Sequence, residues 1–591
     1  MSIGETMEIA KNKFDIIQIL RFPIGFLGIL ILLFGIITIT YSLIHEESNQ
    51  INIFFVVTII VFLIYVIFII LIFRSFRSFK FSLIDKYLLT RNQKKGKLES
   101  HINLAENVFH LGDYDTALSY LNQALDISEK FDFLHLKGTI LNNISQIYEA
   151  KGDYTAALTY LEQSLDISRQ LNDELGEGAT LNNIGQIYEA RGDYETALKY
   201  FEQSLEFSQK LDEKFEEGTT LNNISQIYEA RGDYETALKY LEESLEIYDT
   251  LNELSKKGAV LNNMGQIYKA RGDYETALKY LEQSLVITQE IGDKSGEGST
   301  LNNISQIYDA RGDYETALKY LEQSLIITQE IGDRSSEGTT LNNISQIFKA
   351  RGDYDTALKY LEQSLAIRQK IGDKSGEGAT LNNMATTAHA RGDYDTALKY
   401  LEQSLAIRQE IGDKSGEGTT LNNISQIHDA RGDYDTALKY LEQSLAIKQG
   451  IGDKSGESAT LNNMATIAYA RGDHDTAIKY LDQSLKIREE IGDKSGMIPT
   501  LHNMASFALQ SNDLKKAMEF WSQALPLAIE TKDAMGIFHV AGAMGSILVQ
   551  TGSKEEALKL LALAVQVGKQ AGLPQTSQFE ELLIKAQTDE H

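Results

Sequence analysis

Apolar and polar positions in this chain follow two nested periods. From residue 101 onward apolar residues recur at spacings of three and four, and that pattern itself recurs every forty residues without insertion or deletion. The repeats begin at His101, Leu141, Leu181, Leu221, Leu261, Leu301, Leu341, Leu381, Leu421, Leu461, Leu501 and Ala541, and 581–591 are left over. In the repeat from Leu301, positions 14, 17, 18, 21, 25 and 28 are Tyr314, Ala317, Leu318, Leu321, Leu325 and Thr328. They form one stripe of an amphipathic helix. Positions 1, 4, 5 and 8, here Leu301, Ile304, Ser305 and Tyr308, form the stripe of another. Small residues at positions 5, 10, 17 and 24 allow the helices to approach closely. Neither helix can bury its stripe alone, so stacked pairs must share one continuous core. The pattern predicts an all-α solenoid over 101–580, with 581–591 as a C-terminal cap or tail.

The connections carry their own grammar. Arg311 falls in the last turn of the first helix, where a cation suits the negative end of the dipole. Gly312 is the natural left-handed residue just past a helix end, and Asp313 a good cap for the next helix. Ile331-Gly332-Asp333 repeats the same stop and start before the following repeat. The recurring Arg-Gly-Asp therefore reads as helix punctuation in tight turns.

A different pattern precedes the repeats. Residues 22–44 and 51–73 are each 23 residues long and uncharged. Such a length spans about 35 Å as a helix, enough for a bilayer core of roughly 30 Å. The pattern predicts a transmembrane hairpin in contact with lipid through 22–73. Lys11, Lys13 and Arg21 precede the first span. Arg74, Arg77, Lys80, Lys86, Arg91, Lys94, Lys95 and Lys97 follow the second, in a basic linker over 74–100. The six-residue link between the spans has no Lys or Arg. The positive-inside rule then places the segment 1–21, the C terminus and the whole array in the cytoplasm. A cleaved signal peptide fits less well, because the first apolar stretch is too long and no small-residue cleavage site follows it.

Charge sharpens this division. The chain carries a formal net charge of −27. Residues 1–100 hold 11 Lys and Arg against 7 Asp and Glu, a balance of +4, so the remainder carries −31. An array this acidic is not expected to bind nucleic acid. The chain has no cysteine, which removes disulfides and thiol chemistry. The stretch "IGDKSGEG" lacks the order and spacing of a phosphate loop and of a calcium loop. His389, His428 and His474 fall on different helix faces. No enzyme, cofactor or metal site is expected.

The string L-x-x-I-S/G-x-x-Y … A-x-x-x-L-x-x-S resembles the tetratricopeptide repeat over residues 101–580. The forty-residue form, with "LNNIS" and "LNNMA" openings, is similar to repeats of kinesin light chains and of Pins-type spindle-orientation scaffolds. The resemblance implies a right-handed superhelical α-solenoid of helix-turn-helix repeats, here preceded by two transmembrane helices. It also implies that partner peptides or helices bind in a concave groove lined by the first helix of each repeat. On that face position 2 is Asn142, Asn182, Asn222, Asn262, Asn302, Asn342, Asn382, Asn422 and Asn462. Position 6 is Gln146, Gln186, Gln226, Gln266, Gln306, Gln346 and Gln426. Two asparagines in mid-helix cost helix propensity, so they must be used. Position 2 is read as ligand-facing and position 3 as holding the stack, with bonds between repeats an alternative for both. Position 9 varies through Glu149, Glu189, Glu229, Lys269, Asp309, Lys349, His389, Asp429 and Tyr469. A membrane-anchored interaction scaffold is the leading expectation. A cell-surface adhesin displaying its Arg-Gly-Asp turns and a structural spacer are the rivals.

Overall fold

The computed structural model describes residues 35–36, 60, 63–64, 66–67, 89–573 and 575–588. Most of the two apolar stretches, 22–44 and 51–73, and residues 1–21 and 74–88 lie outside the described residues. Two compact units are present: residues 1–105 with 119–140, and 106–118 with 141–591. In the smaller unit Leu98 is fully buried and the Arg91 guanidinium lies 4.8 Å from the Phe133 ring centroid.

Among the described residues every regular element is a helix. In the larger unit 17-residue and 18-residue helices alternate, as in Lys294–Ala310 followed by Tyr314–Ile331. Their ends follow the predicted grammar. Arg311 closes the first helix and Gly312 turns the chain with φ of +73°. Asp313 then accepts the Thr316 amide at 3.1 Å. Gly332 has φ of +74°, and Asp333 accepts the Ser336 amide at 3.0 Å. The "DKSGEG" stretch is thus the first turn and a half of the next helix. An added Cβ at Gly296 would press on the capping Asp293 carboxylate, yet the equivalent position of the next repeat is Ser336, beneath the same cap.

Of the predicted second-helix stripe Tyr314, Ala317, Leu321 and Thr328 are buried, while Leu318 and Leu325 are half-buried. On the first helix Leu301, Ile304 and Ser305 are buried, and so is Ile307, which the predicted stripe omits. Tyr308 is only half-buried, stacked on Tyr320 with centroids 5.6 Å apart. The same stacking joins Tyr148 to Tyr160, Tyr188 to Tyr200, Tyr228 to Tyr240 and Tyr268 to Tyr280. Among the described residues one helix, Ala534–Thr551, is long and apolar enough to cross a membrane. Its Phe538, Ala541 and Met544 are buried in the core, which accounts for its apolarity.

Residues far apart in sequence also meet. The Lys414 amide donates to the Arg191 carbonyl at 3.0 Å, and the Lys374 amide to Lys151 at 3.4 Å. Both pairs are 223 residues apart, about five and a half repeats. The larger unit therefore coils on itself, and successive turns of the coil touch along a seam. One lip of the seam is the Arg-Gly-Asp turn; the other is the "IGDKS" turn of a later repeat. Gly192, Gly232, Gly272 and Gly312 are buried there, while Gly392, Gly432 and Gly472 are exposed.

Candidate ligand-binding face

The asparagine pairs resolve into one repeated bond. In the repeats from Leu181 to Leu501 the position-3 side chain donates its amide to the position-2 carbonyl oxygen of the repeat before. Asn223 reaches Asn182 at 3.0 Å, Asn263 reaches Asn222 at 3.0 Å and Asn303 reaches Asn262 at 3.1 Å. Asn343, Asn383, Asn423 and Asn463 reach Asn302, Asn342, Asn382 and Asn422 at 2.9–3.2 Å. Asn183 and Asn503 extend the ladder to Asn142 and Asn462 at 3.5 and 3.3 Å. Two position-2 amides are tied further into the stack. Asn302 donates to Ser324 at 2.8 Å and Thr340 at 2.7 Å, and Asn142 donates to Thr180 at 3.1 Å. The sequence divided the two positions between ligand and stack. The geometry instead uses both in a single inter-repeat bond, which takes one of the two lone pairs of each position-2 oxygen.

Truncation of Asn302 to Ala is accordingly expected to destabilise the neighbouring repeats by about 1–3 kcal/mol, the cost of leaving buried partners unmet. Loss of amide-exchange protection in Lys294–Ala310 and Arg334–Ala350 is the measurement. Unchanged protection would show that the ladder contributes nothing to stacking.

The glutamines lie beside this ladder and are mostly half-buried, with Gln146 exposed. Gln306 accepts a bond from Lys269 Nζ at 2.5 Å, and Gln346 donates to Ser345 Oγ at 3.4 Å. Position 9 supplies the charge. Protein surrounds Glu149, Glu189 and Glu229 while leaving part of each side chain wet. Burial pushes Glu149 and Glu229 up to about 7. Burial, with the charges of Glu149 and Glu229 on either side, pushes Glu189 up to about 8. Burial raises Asp309 to about 6 and lowers Lys269, which Glu229 and Asp309 partly restore. Lys349 is lowered by burial and bonds to Thr386 at 2.9 Å. The face therefore presents three adjacent carboxyls, then an alternation of cation and acid.

These changes in proton affinity have a sign. A carboxyl whose pKa rises on folding holds more protons folded than unfolded, so it loses stability as pH rises toward its folded pKa. The unfolded value is about 4.3. Glu189→Gln should leave stability unchanged near pH 4 and raise it at pH 8. Each tenfold change in proton affinity between the two states corresponds to about 1.4 kcal/mol. Exchange protection of Glu174–Ala190 at the two pH values checks this; equal effects at both would exclude the burial account.

The profile of the tetratricopeptide repeat family matches residues 97–170, 176–250, 257–330, 299–370, 376–450 and 456–530. The chain belongs to the tetratricopeptide repeat family. Two solved structures of similar proteins share parts of the trace. BtubC (BKLC) from P. vanneervenii is 19% identical, with 36% of this chain and 89% of that one covered and a TM-score of 0.31. A Rap protein complexed with Competence and Sporulation Factor is 15% identical, with 60% and 99% covered and a TM-score of 0.40. No curated protein matches the sequence. A tetratricopeptide array of this kind is a protein-interaction scaffold.

Proposed function

We propose that this chain is a membrane-anchored tetratricopeptide scaffold that holds an extended segment or helix of a protein partner in the groove of its array. The column of charged residues at position 9 carries the reading. It varies from repeat to repeat on a first helix whose neighbours are nearly constant, and its first three members make no ion pair among the described residues. A buried carboxyl without a partner is costly, and among the described residues no cation acts on Glu149 or Glu189, so these two favour a ligand that supplies the missing partners. The glutamines from Gln146 to Gln426 and the unspent groups of the asparagine ladder would hold the ligand's backbone beside them. Charge reversal at Glu189 and Lys349 should abolish capture of the partner from membrane extracts by the full chain while helix content is kept. Capture at the unaltered level would sink the groove.

The anchor rests on the two uncharged stretches, 22–44 and 51–73. Ile36, Ile60, Leu63, Ile64 and Ile67 in these stretches are exposed, and Val66 is half-buried. Exposed aliphatic residues on helices of this composition suit lipid. The basic flanks favour a cytoplasmic array. A reporter fused after His591 tests the side directly. External activity would overturn the orientation and restore the adhesin reading for the exposed turns at 351–353, 391–393, 431–433 and 471–473.

A further inference from the structure

The seam does not close evenly. Arg191, Arg231 and Arg271 each reach toward a glycine 221 residues later, Gly412, Gly452 and Gly492. For Arg311 the same interval falls on Lys532, because the last repeats have lost the pattern. A cavity of about 300 Å³ lies there, with Arg271, Arg311, Tyr274, Glu275, Lys494 and Lys532 in its wall.

The charges around it are unevenly matched. Lys494 pairs with Glu530 at 2.6 Å and Lys532 with Glu275. The Asp273 carboxylate accepts the Thr276 amide as a helix cap. Neither Arg271 nor Arg311 has a carboxylate partner among the described residues. Arg311 is half-buried; its Nε and Nη2 are closed to solvent and make no bond, and its guanidinium stands 5.9 Å from the Tyr274 ring centroid. Four cations, Arg271, Arg311, Lys494 and Lys532, thus line the cavity against three carboxylates, Asp273, Glu275 and Glu530, and a planar fork of donors is matched to an oxyanion.

We infer that this cavity binds a phosphate group between Arg271 and Arg311. Occupancy would neutralise the two guanidiniums and tie the last repeats to the turn beneath them. The site lies on the seam, away from the asparagine ladder, and does not depend on the groove.

The test uses the full chain in detergent. Inorganic phosphate is titrated against chloride at matched ionic strength, with thermal unfolding as the readout. A saturable rise in Tm with phosphate is expected. Arg311→Met should weaken the phosphate response at least tenfold while staying close to the parent's stability in chloride, since the half-buried side chain keeps its apolar stem and loses no ion pair among the described residues. Arg351→Met, at the equivalent exposed turn, should keep the full response. The idea fails if phosphate acts no differently from chloride, or if Arg311→Met responds like the parent. Should Arg311→Met not fold, Arg271→Gln takes its place, and an undiminished response there refutes the site equally.

Discussion

Gly312→Ala is expected to destabilise the array by about 2–5 kcal/mol, and Gly472→Ala by only about 1. Both glycines sit in the same tripeptide turn, with φ of +73° and +81°. An L-residue pays roughly 1–2 kcal/mol for that conformation wherever it stands. The surroundings differ. A Cβ at Gly472 would meet nothing within 4 Å, while one at Gly312 would meet the Ala534 Cβ at 2.8 Å and the Ala571 Cβ at 2.9 Å. Those methyls belong to repeats one coil further on, so the extra cost, about 1–3 kcal/mol of overpacking, measures the seam alone. Amide exchange in Ala534–Thr551 and Lys554–Ala571 would report it. Equal losses in the two variants would mean that the coil is open in solution. If the expected difference is found, four of the Arg-Gly-Asp turns, at 191–193, 231–233, 271–273 and 311–313, are packing surfaces. Even in exposed turns the aspartate is engaged: Asp353 takes the Thr356 amide at 3.1 Å, and hydrogen bonds from the Thr356 hydroxyl and amide hold its pKa low.

The local structure was legible because each repeat states it twice. Stop, start and stripe recur every forty residues, and a period of that length combined with a three-and-four apolar spacing selects stacked helix pairs. Ile307 escaped because the predicted stripe assumed one buried face. A first helix in mid-stack packs against its own partner and the next repeat, so its buried arc is wider than a two-helix pattern implies. The asparagines escaped for a different reason. Both positions carry the same amide, and only the offset between neighbouring repeats decides which group meets which.

The seam is further from the sequence, since its two lips lie 223 residues apart and the pitch of a coil is no local property. It nevertheless leaves a trace. Position 28 is Ser168, Ser208, Tyr248, Thr288 and Thr328 in the earlier repeats, then Arg368, Arg408, Lys448 and Arg488. Position 32 is Asn172, Asp212 and Asn252 before it becomes Gly292, Gly332, Gly372, Gly412, Gly452 and Gly492. The cations at position 28 mark repeats whose lower edge rests on the preceding turn, whereas the glycine at position 32 begins earlier, at Gly292, where an added Cβ would meet nothing within 4 Å. In the cation-bearing repeats a glycine admits the arginine from below, and a buried cation anchors the aspartate of the "IGD" turn. Near-identical repeats thus differ at the positions where their environments differ.

That buried cation supports the other large prediction. Lys448 is 5% exposed. Its ammonium donates to Asp453 Oδ2 at 2.8 Å, to the Ser415 carbonyl at 3.1 Å and to Thr419 Oγ1 at 3.2 Å, which uses all three of its protons. Asp453 is itself buried, and its other oxygen caps the following helix through the Gly456 amide at 2.7 Å. Lys448→Met keeps the stem's packing but leaves that carboxylate unpaired, and should cost about 3–5 kcal/mol, the usual penalty for breaking a buried pair from one side. Lys448→Arg should be nearly neutral, because Arg368 and Arg408 already form the same pair with Asp373 and Asp413. Lys448→Met combined with Asp453→Asn should recover much of the loss. The amide still caps the helix, and no charge is left without a partner. Amide exchange in Tyr434–Ile451 and Lys454–Ala470 distinguishes the three. If the single Met variant matches the parent, water reaches Asp453, and the seam over it is looser than the contacts from Lys454 to Arg231 and from Lys414 to Arg191 require.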